Sequence, residues 1–201
     1  GYKRQPAHWG RGIDRGMRSA EEALRRRRRG MEIERKFLLV DDSWRAAASK
    51  VVPMAQGYLN DIAMVDSGAM QASVRVRIEG DAAFLNIKSR ELGASRQEFD
   101  YRIPLADAQA LIALCVGGVV RKRRHLVTHG AHLWEIDEFI GDNAGLVVAE
   151  VELDAEDESI AMPDWIGAEV THLPRYYNLN LASLPYLRWP VEQRVEALAN
   201  S

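Results

Sequence analysis

The chain has almost no cysteine and no long apolar run. Cys115 is the only cysteine among 201 residues, so an intramolecular disulfide and a metal site built from several cysteines are both excluded. No apolar segment approaches the ~20 residues that cross a bilayer. The basic N-terminus lacks the apolar core of a secretory signal. We therefore expect a soluble, cytoplasmic protein with no membrane partner.

Charge is distributed unevenly along the chain. The net charge is −2, yet residues 1–30 contain ten Lys or Arg against three Asp or Glu, and the remainder contains seventeen against twenty-six. Five consecutive arginines close the basic segment, and like charges in a row favour disorder. We predict that residues 1–30 form a basic extension outside the fold. A nucleic-acid-binding arm is the alternative interpretation, and it is disfavoured because no aromatic residues interleave the arginines.

The pattern after residue 30 is that of short strands. Apolar and polar residues alternate between turns rich in Gly, Asn and Asp. The sequence predicts eight strands, at 31–40, 54–61, 72–79, 82–89, 97–103, 119–128, 132–139 and 146–153. Helices are predicted at 41–49, 105–115, 155–161, 164–170, 176–184 and 190–199. With 47% hydrophobic residues, the chain can form one domain with a sizeable core.

Charged residues occupy alternate positions on strand after strand, which places each pair on one face. In "MEIERKFLLV" the alternate positions hold Glu32, Glu34 and Lys36. Further pairs are Arg75 with Arg77, Lys122 with Arg124, Glu135 with Asp137, and Glu150 with Glu152. A solvated sheet face is the simplest explanation, but most of these pairs have one sign, and like charges repel unless an opposite charge lies between them.

The acidic pairs therefore indicate a cation, and the basic pairs indicate a polyanion. Both requirements are met if the strands close into a barrel with these faces inward. Carboxylates suit Mg²⁺ or Mn²⁺, while Arg and Lys bind phosphate oxygens. The intervening apolar residues would then face outward and pack under helices; they include Ile33, Phe37, Val74, Val76, Ile136 and Val151.

Several short motifs follow one another in a fixed order. They are Glu32-x-Glu34-x-Lys36, "QGYL" (56–59), "VRVR" (74–77), "IKS" (87–89), "SRQEFD" (95–100), Lys122-x-Arg124, "WEIDEF" (134–139), "AEVEL" (149–153) and "RYYN" (175–178). Together they resemble the CYTH superfamily, also called triphosphate tunnel metalloenzymes, and most closely its short bacterial members. The resemblance covers residues 31–185.

The resemblance implies an α+β fold, an eight-stranded antiparallel β-barrel or tunnel with a charged lumen and helices packed outside. It also implies site residues. The metal ligands, for Mg²⁺ or Mn²⁺, would be Glu32, Glu34, Asp137, Glu150 and Glu152. The substrate-binding residues would be Lys36, Arg75, Arg77, Lys88, Lys122, Arg124 and Arg175. Lys36 would also stabilise charge at the reacting phosphoryl group, and either Glu98 or Asp137 would act as the base.

The sequence departs from the family pattern near its C-terminus. An acid and a lysine often precede Arg-Tyr in the family, where this chain has His172, Leu173 and Pro174, and a second lysine often follows where Tyr177 stands. We therefore expect the C-terminal residues to contact the substrate differently. Residues 186–201 are expected to form a helical tail outside the tunnel domain.

The implied function is metal-dependent hydrolysis of inorganic tripolyphosphate to pyrophosphate and phosphate. Nucleoside or thiamine triphosphatase activity, RNA triphosphatase activity and adenylate cyclase activity on the same fold stay open, as does a non-catalytic polyphosphate-binding module. The retained acids disfavour a simple polyanion binder, because carboxylates repel phosphates unless a cation bridges them. Nucleic acid is disfavoured as a partner, and a homodimer is left open.

Overall fold

The computed structural model describes residues 33–90, 98–155 and 157–194. Its strands are β1 (Ile33–Leu39), β2 (Ala48–Tyr58), β3 (Ala72–Glu79), β4 (Ala82–Ser89), β5 (Glu98–Arg102), β6 (Val116–His129), β7 (His132–Ile140), β8 (Val147–Leu153) and β9 (Ile166–Glu169). The helices are α1 (Ile62–Asp66), α2 (Leu105–Ile112) and α3 (Asn178–Ser183), with 3₁₀ turns at Ser43–Ala47, Gly141–Asn143, Pro174–Tyr176 and Tyr186–Arg188 and a helical turn at 191–194. Within these residues, every helix is too short or too polar to span a membrane.

The strands form one antiparallel sheet in the order β5-β4-β3-β2-β6-β7-β8-β1-β9. The predicted antiparallel sheet is confirmed, but the described residues contain nine strands instead of the predicted eight. Hydrogen bonds do not join the edge strands β5 and β9 in this part of the chain, so closure of a barrel stays a prediction.

Two hairpins turn tightly at glycines. Gly80 and Gly130 have φ angles of +57° and +59°, values that side chains with a Cβ rarely adopt. Gly80 lies between β3 and β4, and Gly130 lies between β6 and β7. These turns fix the register that sets Arg75 opposite Asn86 and Arg124 opposite Asp137.

Residues directly opposite each other in an antiparallel pair share a face of the sheet. The register therefore collects the charged residues of seven strands on one face, which we call the charged face. Its members are Glu34, Lys36, Arg75, Arg77, Glu79, Lys88, Glu98, Asp100, Arg102, Lys122, Arg124, Glu135, Asp137, Glu150 and Glu152. The prediction that these residues share one side of the sheet is confirmed.

The opposite face carries the predicted apolar residues, which form two parts of the core. One cluster joins Phe37, Ile136 and Val151 to the three buried indoles Trp44, Trp134 and Trp165. The other packs α2 against β3 and β4 through fully buried residues, namely Val76, Ala83 and Ala108.

The charged face ends in an apolar patch covered by the C-terminal segment, residues 174–189. The patch consists of Leu38, Tyr58, Val120, Phe139 and Val148, each one alternate position beyond a polar member of its own strand. Buried Tyr176, Leu181, Tyr186 and Trp189 pack against it. Leu38 on β1 and Tyr58 on β2 belong to this one cluster although β6, β7 and β8 separate their strands, so the sheet curls around the segment.

Several predicted helices differ from the structure. The helix at 164–170 is wrong, because this stretch forms β9, which pairs with β1. At 155–161 the described residues contain no helix, since the carboxylate of Glu158 binds the backbone N–H of Asp154 and a ring nitrogen of His132. The helix at 41–49 is only the 3₁₀ turn, because the chain joins β2 at Ala48. Helices near 105–115 and 176–184 are confirmed, whereas 195–199 lie outside the described residues.

Candidate active site

Lys36 binds carboxylates from two strands of the charged face. Its Nζ donates to Glu34 on its own strand and to Glu150 on β8, because the register sets Lys36 directly opposite Glu150. Burial alone would favour the neutral amine, but Glu150 and Glu34 more than offset it and raise the pKa of Lys36 above its usual value. The ammonium therefore stays charged.

The two acids that share Lys36 titrate in opposite directions. Burial and repulsion from Glu150 raise the pKa of Glu34. Burial acts on Glu150 in the same sense, yet Lys36, Arg124 and Lys122 outweigh it and lower the pKa of Glu150. These cations therefore favour the ionised form of Glu150, and its negative charge makes Glu34 easier to protonate.

Arg124 is the centre of a second ion-pair network. Its Nε and Nη2 donate to the two oxygens of Asp137 at 2.7 Å each, and its Nη2 also donates to Glu150 at 2.7 Å. Glu135 accepts from its Nη1. These carboxylates raise the pKa of Arg124 well above its usual value despite the cost of burial. The carboxylate of Asp137 is fully buried and also accepts a hydrogen bond from Lys122.

A group of cations lies on β3 and β4. We call Arg75, Arg77 and Lys88 the basic wall. Lys88 Nζ lies 3.1 Å from Glu98 Oε2, and Arg75 Nη2 lies 4.0 Å from Glu98 Oε1. Arg77 Nη2 is 3.8 Å from Asp100 Oδ2. All three distances are longer than the 2.7 Å contacts of Arg124 with Asp137 and Glu150, so an anion can displace these carboxylates more easily.

Two polar residues that the sequence analysis did not select support this arrangement. Asn86 accepts a hydrogen bond from Arg75 Nε at 3.1 Å and donates to Asp100, which orients the basic wall. The sequence gives one indication of this role, because Asn86 lies two residues before Lys88 and therefore on the same face of β4. The ring of Tyr177 lies 5.8 Å from Lys36 Nζ, at the position where the family pattern often has lysine.

The remaining predicted site residues are placed less centrally or cannot be placed. Glu32 lies outside the described residues. Glu152 is exposed and lies opposite Glu34 in the register. Arg175 stacks on the rings of Tyr176 and Trp189, at 5.1 and 5.2 Å. The described contacts thus place Arg175 in the C-terminal segment and not among the ion pairs of the charged face.

The carboxylates of the charged face fit a hard divalent cation by their chemistry. Glu34 and Glu150 are close enough to repel each other, and a cation between two such oxygens relieves that repulsion. The described residues contain no ready group of three metal-ligating side chains. Lys36 and Arg124 neutralise these acids, so a metal would exchange with the ion pairs.

The comparisons with known proteins agree with this geometry. Residues 30–180 match the CYTH domain family, which is well over half of the chain. The chain belongs to the CYTH domain family. The resemblance predicted from the ordered motifs is thereby confirmed.

Relatives in this family share substantial identity with the chain. A protein of Acetivibrio thermocellus named inorganic triphosphatase is 41% identical over 158 residues, covering 78% of this chain and 96% of that protein. A protein of the same name from Nitrosomonas europaea is 37% identical over 158 residues, covering 77% of this chain and 99% of that protein. A crystal structure described as an inorganic triphosphatase superposes with a TM-score of 0.58 at 30% identity, covering 81% of this chain and 98% of that one.

Proposed function

We propose that this CYTH protein hydrolyses a triphosphate with the help of a divalent metal, and that inorganic tripolyphosphate is its substrate. The observation that carries the proposal is the composition of the charged face: a basic wall and a set of buried carboxylates on one curled sheet. Relatives of 37–41% identity that are named inorganic triphosphatase support the choice of substrate.

In this proposal the sheet surrounds the substrate as a tunnel with the charged face inward. The shared apolar cluster of β1 and β2 supports such curvature, because it brings strands from distant positions in the sheet together. The basic wall binds the phosphoryl oxygens from β3 and β4, and Lys122 and Arg124 bind them from β6. Arginine forks and ammonium groups neutralise the charge that would otherwise repel an attacking nucleophile.

Lys36 stabilises negative charge at the reacting phosphoryl group. A water oxygen attacks the terminal phosphorus, the bridging P–O bond breaks, and pyrophosphate leaves with the bond's electron pair. Lys36 fits its role because its ammonium is held charged by Glu34 and Glu150. Charge stabilisation of this preorganised kind is commonly the largest contribution to phosphoryl transfer.

Glu98 is better suited than Asp137 to accept the proton of the attacking water. Both oxygens of Asp137 already accept hydrogen bonds from Arg124, and its side chain is fully buried. Glu98 is partly exposed, and its contact with Lys88 is an ion pair of 3.1 Å. A base needs a free lone pair within reach of water, which favours Glu98.

Mg²⁺ or Mn²⁺ would be held by Glu34 and Glu150, together with the predicted ligands Glu32 and Glu152. When bound, the ion would polarise phosphoryl oxygens and lower the pKa of a coordinated water. The contribution of this chain is to keep Glu150 ionised, which Lys36, Arg124 and Lys122 achieve.

The test is phosphate release by the purified chain from tripolyphosphate and from ATP, each with Mg²⁺, Mn²⁺ or a chelator. We expect rapid metal-dependent release from tripolyphosphate and much slower release from ATP. A preference for ATP would contradict the substrate assignment and favour nucleotide chemistry. Binding of tripolyphosphate without turnover would favour a polyphosphate-binding module instead.

A further inference from the structure

Gln56 occupies the middle of the charged face and has no role in the mechanism above. It lies on β2, opposite Arg77 of β3 on one side and opposite Val120 of β6 on the other. Its side chain is buried, with 2% of the residue exposed. Its buried Nε2 makes no hydrogen bond of normal geometry to a described residue, although the amide lies close enough to the Tyr58 hydroxyl to oppose the rise that burial causes in the pKa of that tyrosine.

Arg77, which lies opposite Gln56, also has an unsatisfied N–H donor. Within the described part of the chain, the buried Nε of Arg77 also lacks a hydrogen-bond acceptor, and Glu79 Oε2 lies 3.6 Å away, beyond hydrogen-bond distance. Two opposed residues on adjacent strands thus present unsatisfied N–H donors on the same face. A buried unsatisfied donor destabilises the folded protein, so two together call for an acceptor that the protein does not supply.

We propose that Gln56 is a substrate-binding residue whose Nε2 donates a hydrogen bond to an oxygen of the phosphoryl group that Arg77 binds. The proposal rests on the proposed function, since it takes the missing acceptor to be an oxygen of the triphosphate. A phosphoryl group carries several acceptor oxygens and no obligatory donor, so one such group can satisfy both N–H groups.

A neutral donor suits this position better than another cation. Arg75 lies beside Arg77, and together with burial it lowers the pKa of Arg77. Lys122 lies on the neighbouring strand β6, opposite Met54 and diagonal to Gln56. A further positive charge among these groups would be repelled in the free protein. The amide adds a directed hydrogen bond without adding charge.

Three variants test the proposal. Gln56→Met keeps the length of the side chain and removes the donor, while Gln56→Glu places a carboxylate beside the phosphoryl site. Met54→Leu, the preceding position of β2 on the same face, is the control. Binding of tripolyphosphate is measured by calorimetry with chelator and with Mg²⁺, alongside KM, kcat and the melting temperature.

We expect Gln56→Met to weaken binding and raise KM about tenfold, the equivalent of one lost hydrogen bond of ~1.4 kcal/mol. Its melting temperature should equal or exceed that of the wild type, because the change removes an unsatisfied polar group. Gln56→Glu should weaken binding further, and Met54→Leu should leave it unchanged.

A structural role for the amide predicts the opposite result, a lower melting temperature for Gln56→Met with unchanged binding. Affinity of Gln56→Met within twofold of the wild type would overturn the proposal at any melting temperature. A wild-type chain that binds tripolyphosphate without hydrolysing it would overturn the proposed activity but leave this binding comparison valid. A wild-type chain that binds none would overturn both.

Discussion

The guanidinium of Arg124 donates two hydrogen bonds of 2.7 Å to the fully buried carboxylate of Asp137. Lys122, which is also buried, shares that carboxylate. Removal of the carboxylate in Asp137→Ala should lower the free energy of unfolding by about 3–5 kcal/mol, because it leaves a buried charge uncompensated. Urea denaturation measures the change.

The double variant Lys122→Met/Asp137→Leu is the matched control. It replaces the carboxylate and the lysine that shares it with apolar side chains, while Arg124 keeps Glu135 and Glu150, and it should recover part of the lost stability. If the free energy of unfolding of Asp137→Ala lies within ~1 kcal/mol of the wild-type value, the carboxylate does not stabilise this network.

Glu150 carries the second prediction. Glu150→Gln removes the charge that Lys36 and Arg124 neutralise, so kcat for tripolyphosphate with Mg²⁺ should fall at least about 100-fold, the scale of losing one preorganised charged group. Steady-state phosphate release measures it. The control Glu169→Gln removes an acid that pairs with Arg35 on the opposite face, and its kcat should stay within about twofold. Unaltered activity of Glu150→Gln would refute the metal assignment.

The basic wall carries the third prediction. Arg77→Ala should raise KM for tripolyphosphate about 10- to 100-fold, because a hydrogen bond to a charged group contributes about 1.5–3 kcal/mol. The KM of Arg77→Lys should lie between those of the wild type and Arg77→Ala, since an ammonium keeps the charge and loses the forked geometry of the guanidinium. Arg35→Ala, on the opposite face of β1, is the control and should keep the wild-type KM. Equal KM values for both alanine variants would contradict binding at the charged face.

The C-terminal segment carries the fourth prediction. Trp189 is buried, and its ring packs on Tyr176 and Tyr186 with centroids 5.3 and 5.1 Å apart. Trp189→Ala should destabilise the protein by about 3–5 kcal/mol, as expected for a large aromatic removed from a core. In the same denaturation assay, exposed Leu187→Ala should change stability by less than ~0.5 kcal/mol. Similar losses for both would show that the segment is not packed as described.

Glu138 carries a prediction about pH. A hydrogen bond from Arg45 lowers the pKa of Glu138 below 4.5, against burial and with help from His125. Its stabilising contribution is therefore full above the ordinary pKa and is lost as the pH falls through the lowered value. The free energy of unfolding of the wild type should exceed that of Glu138→Gln by about 0.5–1 kcal/mol near pH 7. This difference should shrink below pH ~4.5. Exposed Glu192→Gln is the control and should change stability by less than ~0.5 kcal/mol at pH 7.

Alternation along the strands predicted the eight longer strands and the shared charged face, because period-two patterns report directly which side of a strand is buried. It could not predict β9, whose four residues are too few to display a period and which forms by pairing with β1. The ion pairs of Arg124 with Asp137 and Glu150 were also out of reach. They depend on register across three strands, which turn geometry and not local composition decides.

The same limit explains why Gln56 and Asn86 were not selected. Asn86 is a neutral residue beside Lys88, and Gln56 lies on a strand whose only charged residue is Lys50. The role of each depends on the residue opposite it. Arg175 shows the converse. Its motif predicts phosphate binding, and its described contacts are with the aromatic rings of the C-terminal segment, so its role in phosphate binding stays a prediction.

The cations of the basic wall are already paired before any ligand arrives: Lys88 with Glu98, and Arg77 with Asp100. Anion binding at this wall is consequently an exchange of partners, with the carboxylates displaced. An anion with a single charge gains little from the exchange, since each new contact replaces an old one. A chain of phosphates makes several contacts at once and keeps them together by its covalent bonds. We therefore expect internal ion pairing to favour polyanions over chloride and monophosphates at this wall.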